Sequence, residues 1–200
     1  MSGDSTPGPK EILHHYLRVQ RDALVSRLED LGERDVRWPM TPTGTNLLGM
    51  VKHVASVQLD YFGEVFDRPS DLDLPWLDDE AGINADMWAT ADESRAEILD
   101  LYRFSCAHAD ETIDALDLES PGRVPWWPRE RQRVTLHHIL VHMTTETARH
   151  TGHADIIREL IDGVSGDSRG NLPELTAEEW RAYRARLEKA AVLAAQRTPD

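Results

Sequence analysis

The sequence predicts an all-α protein, a four-helix bundle with an additional C-terminal helix. Three observations lead to this prediction. Apolar residues recur at helical spacing through four long segments, no useful stretch alternates in the manner of a β-strand, and loops rich in Pro and Gly separate the segments. Helices that are apolar along one side bury that side against one another, and a bundle is the simplest arrangement that achieves this.

The first predicted helix begins at Pro9, because proline suits the first turn of a helix, where its missing N–H would have no partner. It continues to Gly32, a residue type that commonly ends helices. Its apolar side consists of leucines at helical spacing: Leu13, Leu17, Leu24, Leu28 and Leu31. Residues 1–9 carry no such pattern and are predicted to be a disordered N-terminus, ahead of a single helical-bundle domain over residues 10–200.

The second predicted helix follows a loop with two prolines and a glycine, RWPMTPTGTN. Thr45 or Asn46 can cap its start, since either side-chain oxygen can accept a hydrogen bond from an N–H group of the first turn. Its apolar side consists of Leu47, Val51, Val54, Ala55, Leu59, Phe62 and Phe66. The helix is expected to end near residues 68–69, where a proline stands.

Two further long helices and a last shorter one complete the prediction. An acidic connection leads to the third helix, over about residues 86–116, and a loop rich in Pro and Trp, LESPGRVPWWPRERQ, leads to the fourth, over about residues 134–162. The fourth helix is predicted to stop at Gly163. The last helix starts with the capping-box pattern TAEE at Thr176 and runs to about residue 196.

The charge of the chain bears on its partners. It has 36 acidic and 22 basic residues and a net charge of −14, which argues against broad binding to nucleic acid phosphates or to an anionic membrane surface. No apolar run is long enough to span a bilayer, no signal sequence is evident, and one cysteine, Cys106, fits a reducing compartment. These features predict a soluble cytoplasmic protein, and we expect it to be a monomer or a homodimer.

A glutamate and a histidine lie on the apolar side of the fourth helix. At about 100° per residue, this side is centred on Met143 and includes Leu136, Ile139, Leu140, Thr147, Ala154, Ile157 and Ile161. Glu146 and His150 fall in the same sector and, being four residues apart, lie one turn above the other. A carboxylate directed into a core is costly unless a positive or hydrogen-bonding group meets it, and a divalent metal is one such partner.

A catalytic metal site of this kind usually has three protein ligands and one open position. The third ligand is expected from another helix, and helical spacing leaves two candidates, His53 in the second helix and His108 in the third. A rival pair, His138 and His142, is also four residues apart but lies nearer the solvated side of the fourth helix.

Two segments, TNLLGMVKHVASVQLDYF and HHILVHMTTETARHTGHADIIRELIDG, together resemble the DinB-like metalloprotein superfamily. The closest resemblance is to its actinobacterial branch, which includes mycothiol-dependent maleylpyruvate isomerase and mycothiol S-transferases, and it covers about residues 10–190. It implies a four-helix bundle with one metal-binding histidine on the second helix and a ligand pair on the fourth, in which this branch has glutamate first. The implied ligands are therefore His53, Glu146 and His150, with zinc as the expected metal.

The resemblance also implies a function in detoxification, as a metal-dependent S-transferase with mycothiol as its thiol cosubstrate. The metal would bind the sulfur and make it a thiolate, which attacks an electrophilic small molecule. Four residues are predicted to contact these substrates. Trp126 and Trp127 could stack on a sugar, and Arg129 and Arg149 could contact polar or anionic groups.

Other functions remain open for the same residues. A hydrolase that activates water would need a general base beyond the three ligands. An isomerase is a further alternative, although the isomerase of this branch has an additional C-terminal domain where this sequence has a single predicted helix. A non-enzymatic helical binding or stress-response protein would have a structural metal or none.

Overall fold

The computed structural model describes residues 6–78, 80–166 and 170–197. Its α-helices are α1 (Pro9–Ser26), α2 (Glu33–Arg37), α3 (Leu47–Phe62), α4 (Arg95–Ala115), α5 (Leu136–Asp162) and α6 (Ala177–Arg197). The four long helices α1, α3, α4 and α5 form the bundle, in which α3 packs against α4 and α5, and α1 packs against α5. The predicted all-α bundle with a further C-terminal helix is confirmed. Of the predicted disordered N-terminus, residues 1–5 lie outside the described residues, and Pro9 begins α1 as expected.

The core consists of two apolar clusters along the bundle. One surrounds the first half of α3 and includes Leu24, Leu28, Leu47, Met50, Val51, Val54, Ile98, Ala154 and Ile157. The other surrounds the end of α3 and the start of α5 and includes Leu17, Phe62, Ala109, Ile113, Val134, Leu136, Ile139, Leu140 and Met143. All four long helices contribute to both clusters. α3 packs against both α4 and α5, and His53 lies between its two apolar ends.

The first helix ends earlier than predicted. α1 stops at Ser26, and a turn with Asp30 in the left-handed conformation (φ 60°) leads to α2, which begins at Glu33. Arg95 and Arg158, from two other helices, donate hydrogen bonds to four carbonyl groups of this turn. These tertiary contacts compensate carbonyls that a continuous helix would have bonded internally. The second predicted helix also ends early, at Phe62.

The third long helix begins later than predicted. Residues 86–94, expected to form its first turns, lie instead in a short 3₁₀ turn (Ala85–Met87) and a loop. α4 begins at Arg95 because Ser94 caps it: the Ser94 hydroxyl accepts a hydrogen bond from the Glu97 N–H, and the Glu97 carboxylate accepts one from the Ser94 N–H at 2.7 Å.

A short β-hairpin replaces part of the predicted Pro- and Trp-rich loop. β1 (Pro121–Arg123) pairs antiparallel with β2 (Arg133–Thr135), and Val134, expected to begin the fourth helix, pairs with Gly122. A Cβ at Gly122 would lie only 2.7 Å from the Phe66 ring, so glycine permits this close packing. Strands of three residues are too short for their alternation to be recognised in a sequence.

The remaining helix ends agree well with the prediction. α5 begins at Leu136 after the Thr135 cap and ends before Gly163, whose φ of 79° is the left-handed conformation that glycine adopts easily. The Thr176 hydroxyl accepts a hydrogen bond from the Glu179 N–H at 3.2 Å, as the capping-box pattern predicts.

The chain divides into two compact units, Met1–Gly166 and Asp167–Asp200. The first contains the bundle. The second contains α6, on which no residue is buried. Within the described residues, no helix combines the length and the apolar character needed to cross a membrane.

Candidate metal centre

His53 lies in the middle of α3, whose start is fixed by Asn46. The Asn46 side chain accepts a hydrogen bond from the Gly49 N–H at 2.8 Å, which caps the helix. The side chain of His53 is 16% exposed, between the buried face of α3 and solvent. This position explains why helical spacing alone left His53 undecided as a ligand.

Asp86 determines which nitrogen of His53 is available. One of its carboxylate oxygens lies 2.6 Å from His53 Nδ1, so Nδ1 carries a proton that it donates to Asp86. The other ring nitrogen, Nε2, faces Glu146 Oε1 at 3.5 Å, and in the neutral ring it carries the free lone pair. Metal-binding histidines are commonly held in this way by a carboxylate on the opposite nitrogen.

Glu146 and His150 meet His53 from α5. His150 Nε2 lies 3.0 Å from the same Oε1 atom of Glu146 that faces His53. The two imidazole rings are 4.8 Å apart between centroids and inclined at 62°. The three residues offer donor atoms that all lie within 4.8 Å of one another, and we call them the triad. The structure therefore brings together the three residues that the resemblance implied.

The charges of the triad and Asp86 depend on one another. Burial opposes the protonated form of His53, but hydrogen bonds and charge from Asp86 and Glu146 outweigh it and raise the His53 pKa. Burial and repulsion from His53 lower the His150 pKa. Burial would raise the pKa of Glu146, but His150 and His53 reverse this effect and lower it. The site thus holds two carboxylates with lowered pKa values next to two imidazoles, and positive charge within it stabilises the ionised carboxylates.

The polar atoms of the triad fit a divalent metal ion. When His53 is neutral, with its proton on Nδ1 toward Asp86, its Nε2 lone pair faces a carboxylate oxygen of Glu146, and a cation between the two atoms would remove the resulting repulsion. His150 Nδ1 is buried and has no hydrogen-bond partner among the described residues. Within the described residues, the hydrogen bond of this ring is the one between Nε2 and Glu146. Two imidazoles and one carboxylate are a donor set of catalytic zinc sites.

The other histidines considered from the sequence do not join the triad. His108 lies beside Gly63, with its Cε1 atom 3.3 Å from where a Cβ would stand. His138 and His142 contact aromatic rings instead, since both lie beside Trp127 with centroid distances of 5.4 and 5.1 Å. In the described part of the chain, the triad is the one set of three converging donor residues.

The predicted substrate contacts lie at different places relative to the triad. Trp126 and Trp127 both donate indole hydrogen bonds to the hydroxyl group of Tyr61, at 3.4 and 3.0 Å. Arg129 is exposed on the hairpin loop, and it is Arg131 that lies over the Trp127 ring. Arg149 is exposed on α5 and makes no ion pair with any described residue.

An aromatic surface extends from the triad along both helices. Tyr61 is eight residues after His53 on α3, and His142 is one turn before Glu146 on α5. Their rings are 4.7 Å apart between centroids. We call this surface the aromatic wall; its members are Tyr61, Trp126, Trp127, His138 and His142.

Sequence reasoning missed Asp86 and the part played by Tyr61. Asp86 fell within a predicted helix, and its contact with His53 spans 33 residues of sequence, so no local pattern signals it. Tyr61 could have been found, because a separation of eight residues puts it on the same face of α3 as His53.

Comparison with known proteins agrees with the fold and identifies the family. No curated protein matches the chain. A crystal structure described as the conserved protein of locus from Enterococcus faecalis matches with a TM-score of 0.56 and 16% sequence identity, over 80% of this chain and all of the other, which shows a shared fold. A model of the mycothiol S-transferase family matches residues 12–163, a span that contains the triad and Asp86. The chain therefore belongs to the mycothiol S-transferase family, a family of transferase enzymes.

Proposed function

We propose that the chain is a divalent-metal-dependent S-transferase that joins the sulfur of mycothiol to an electrophilic small molecule. His53, Glu146 and His150 would hold the metal. The observation that carries the proposal is the convergence of their donor atoms within 4.8 Å, in a chain of the mycothiol S-transferase family. We propose zinc as the metal, because this donor set is frequent at catalytic zinc sites that keep one position open.

A divalent metal, when bound, lowers the pKa of a thiol at its open position and so supplies a nucleophilic sulfur at neutral pH. The protein provides the arrangement. Asp86 keeps the proton of His53 on Nδ1, and Glu146 and His150 face His53 from one turn of α5. Overall, the thiol loses its proton to water, a sulfur–carbon bond forms, and a leaving group departs with the electrons of its own bond to carbon.

The aromatic wall is the surface that we propose for the sugar groups of mycothiol. Trp126 is 49% exposed and donates its indole hydrogen bond to the Tyr61 hydroxyl, so the ring is held in place while about half of its surface remains available for stacking. Arg129 and Arg149 are both exposed, and we propose them as contacts to polar groups of the thiol.

Metal content tests the ligand assignment. We expect about one equivalent of metal in the wild type, purified without chelator or affinity metal, and almost none in the double variant His53→Ala, His150→Ala. The matched control removes the other histidine pair, with His138→Ala and His142→Ala, and should keep its metal. Absence of metal from the wild type, or equal metal in both double variants, would contradict the assignment.

Conjugate formation tests the reaction. Mycothiol and 1-chloro-2,4-dinitrobenzene are incubated with enzyme, and the thioether is followed by its absorbance. We expect turnover that disappears when the metal is removed, returns when it is restored, and is lost in Glu146→Gln. A rate that does not change on metal removal would count against a metal-dependent transferase.

A further inference from the structure

A cavity of about 790 Å³ opens beside His53, between the loop 39–46 and the turn 83–88. Its lining includes both His53 and Asp86, so it reaches one side of the triad directly. The aromatic wall lies on the opposite side, because Tyr61 is further along α3 whereas the cavity includes the residues that precede this helix. The triad thus lies between two surfaces, as a reaction that joins two substrates requires.

Several polar side chains of the cavity are already engaged in hydrogen bonds within the protein. Asn46 accepts from the Gly49 N–H, and its amide group donates to the carbonyls of Gly44 and Met87 at 3.1 and 3.2 Å. The hydroxyl of Thr43 is 3.1 Å from that of Thr41. A ligand covered with hydroxyl groups would therefore find few free partners here.

The charged groups of the cavity are compensated as well. Arg37 pairs with Glu33 at 3.1 Å and donates to three carbonyl groups of residues 89–93. Asp86 pairs with His53 at 2.6 Å. Among the described residues that line the cavity, no cation is left to receive an anionic ligand.

Apart from the side chains of Thr45 and Asn84, what remains available in the cavity is largely apolar surface. Ile83 is 92% exposed and Trp88 is 48% exposed, and Pro39 and Met87 complete this part of the lining. Exposed apolar side chains around a recess of this size are typical of a small-molecule site. In the aromatic wall, by contrast, we propose that the exposed indole ring of Trp126 stacks on the sugar.

We propose that this cavity binds the electrophilic substrate and that this substrate is an uncharged, largely apolar molecule. The assignment rests on the proposed S-transferase function. The electrophilic carbon gains the sulfur while its leaving group, such as a halide, departs with the bonding electrons, and the thiol proton goes to water. A carboxylate on the electrophile would lose its hydration without gaining a free cation from the cavity lining. The charge of the proposed metal would be offset by Glu146 and the thiolate, and the chain's net charge of −14 repels a carboxylate further.

A charge introduced at the rim of the cavity tests this selectivity. The two electrophiles are 1-chloro-2,4-dinitrobenzene, which is neutral, and 4-chloro-3,5-dinitrobenzoate, which is anionic. Wild type should prefer the neutral one, and Ile83→Arg should raise kcat/KM for the anion by about tenfold relative to the neutral compound. The matched control is Ile156→Arg on α5, also at an exposed isoleucine (63%), which makes the same change in net charge and should leave the ratio unaltered.

Binding of unreactive analogues gives a readout that does not depend on turnover. 1,3-Dinitrobenzene should bind to wild type in calorimetric titration, whereas 3,5-dinitrobenzoate should bind measurably only to Ile83→Arg. An unchanged ratio in Ile83→Arg, or a change confined to the KM for mycothiol, would overturn the assignment of the cavity. If wild type forms no conjugate at all, the proposed function fails, and the binding of the two analogues still decides what the cavity accepts.

Discussion

Asp86 is not a member of the triad, but it affects the proposed metal centre through its contact with His53. Its carboxylate is 2.6 Å from His53 Nδ1 and leaves Nε2 as the nitrogen that faces Glu146. The pKa of Asp86 is lowered, first by the hydrogen bond with His53, against the opposing effect of burial. Asp86 therefore stays ionised at neutral pH and accepts the hydrogen bond from His53 Nδ1.

Replacing Asp86 by Asn should weaken metal binding by about 10- to 100-fold, because the ring of His53 loses the partner that fixes its tautomer. Competition with a chromogenic chelator measures this affinity. Asp110→Asn is the matched control, since Asp110 accepts a similar hydrogen bond from His14, at 2.7 Å, outside the triad. Equal losses of metal affinity in the two variants would show that Asp86 has only a general structural effect.

Asp60, near the end of α3, makes a prediction about pH. Burial, with repulsion from Glu64, raises the pKa of Asp60 from 3.8 to about 6. Because the folded chain then binds this proton more tightly than the unfolded chain, the contribution of Asp60 to stability falls as pH rises from about 4 to about 6.

Asp60→Asn should consequently raise the free energy of unfolding at pH 7.5, by at most about 3 kcal/mol, and should have little effect near pH 4. Denaturant unfolding of both proteins at the two pH values tests this. Asp92→Asn, at an exposed aspartate, serves as the control. A gain in stability of the same size at both pH values would argue against ionisation of Asp60 as its cause.

At this scale, part of the candidate site could be predicted from the sequence. The pair Glu146 and His150 follows from the helical period, because a charged residue in an apolar sector needs a partner. His53 required the family resemblance, since it lies off the apolar face of its helix. Asp86 could not be predicted, because its position depends on contacts between a turn and a helix that are distant in sequence.

Among the structural elements, the turn 83–88 is fixed to α3 by one buried lysine. Lys52 is 2% exposed, donates to the carbonyls of Ala85 and Trp88 at 3.1 Å each, and pairs with Glu93 at 2.7 Å. Burial would raise the Glu93 pKa, but Lys52 and Thr90 outweigh it and lower this pKa. Asp86 lies between the two carbonyls that Lys52 binds.

Gly49 brings this turn close to α3 in a second way. Any Cβ at Gly49 would collide with the carbonyl group of Met87, so the turn packs directly on the helix backbone. The third helix was expected to begin at about Asp86, but Lys52 and Asn46 bind the carbonyls of residues 85, 87 and 88 instead of helical N–H groups. Tertiary contacts of this kind override local helical patterns, and they explain why the ends of helices were predicted less well than their centres.

Lys52→Met should destabilise the protein by about 3 kcal/mol, because it leaves Glu93 and two carbonyl groups without their buried partner. It should also open the segment 70–93 to limited proteolysis and reduce the amount of bound metal. Lys189→Met, on the exposed surface of α6, is the control and should change none of these measurements. Unchanged proteolysis in Lys52→Met would contradict the anchoring of this segment by Lys52.

For the whole molecule, the fold is retained where the sequence is not. The matched structure from Enterococcus faecalis shares 16% identity with this chain at a TM-score of 0.56. The apolar pattern of the four long helices was sufficient to predict the bundle, because burying four apolar faces constrains the architecture more than it constrains individual residues. The hairpin was missed, since strands of three residues are too short for their alternation to be recognised in a sequence.

The division into two units predicts what a truncated chain should do. The triad and Asp86 all lie in the first unit, and no residue of α6 is buried. A chain ending at Gly166, whose carbonyl accepts a hydrogen bond from Arg27, should keep its metal and its thermal unfolding midpoint within about 3 °C. Metal analysis and circular dichroism would test this, and a large loss of either would favour a single domain over residues 10–200.

The turn 83–88 serves two neighbours at once, since Asp86 supports a triad histidine while Met87 and Trp88 line the cavity. Suppose that a molecule binds the cavity more tightly when the metal is bound and the turn is in place. The metal must then be bound more tightly, by the same factor, when that molecule occupies the cavity. Filling the cavity would then protect the enzyme against chelators. In a cell with competing metal ligands, the enzyme would retain its metal best when the compounds it consumes are abundant.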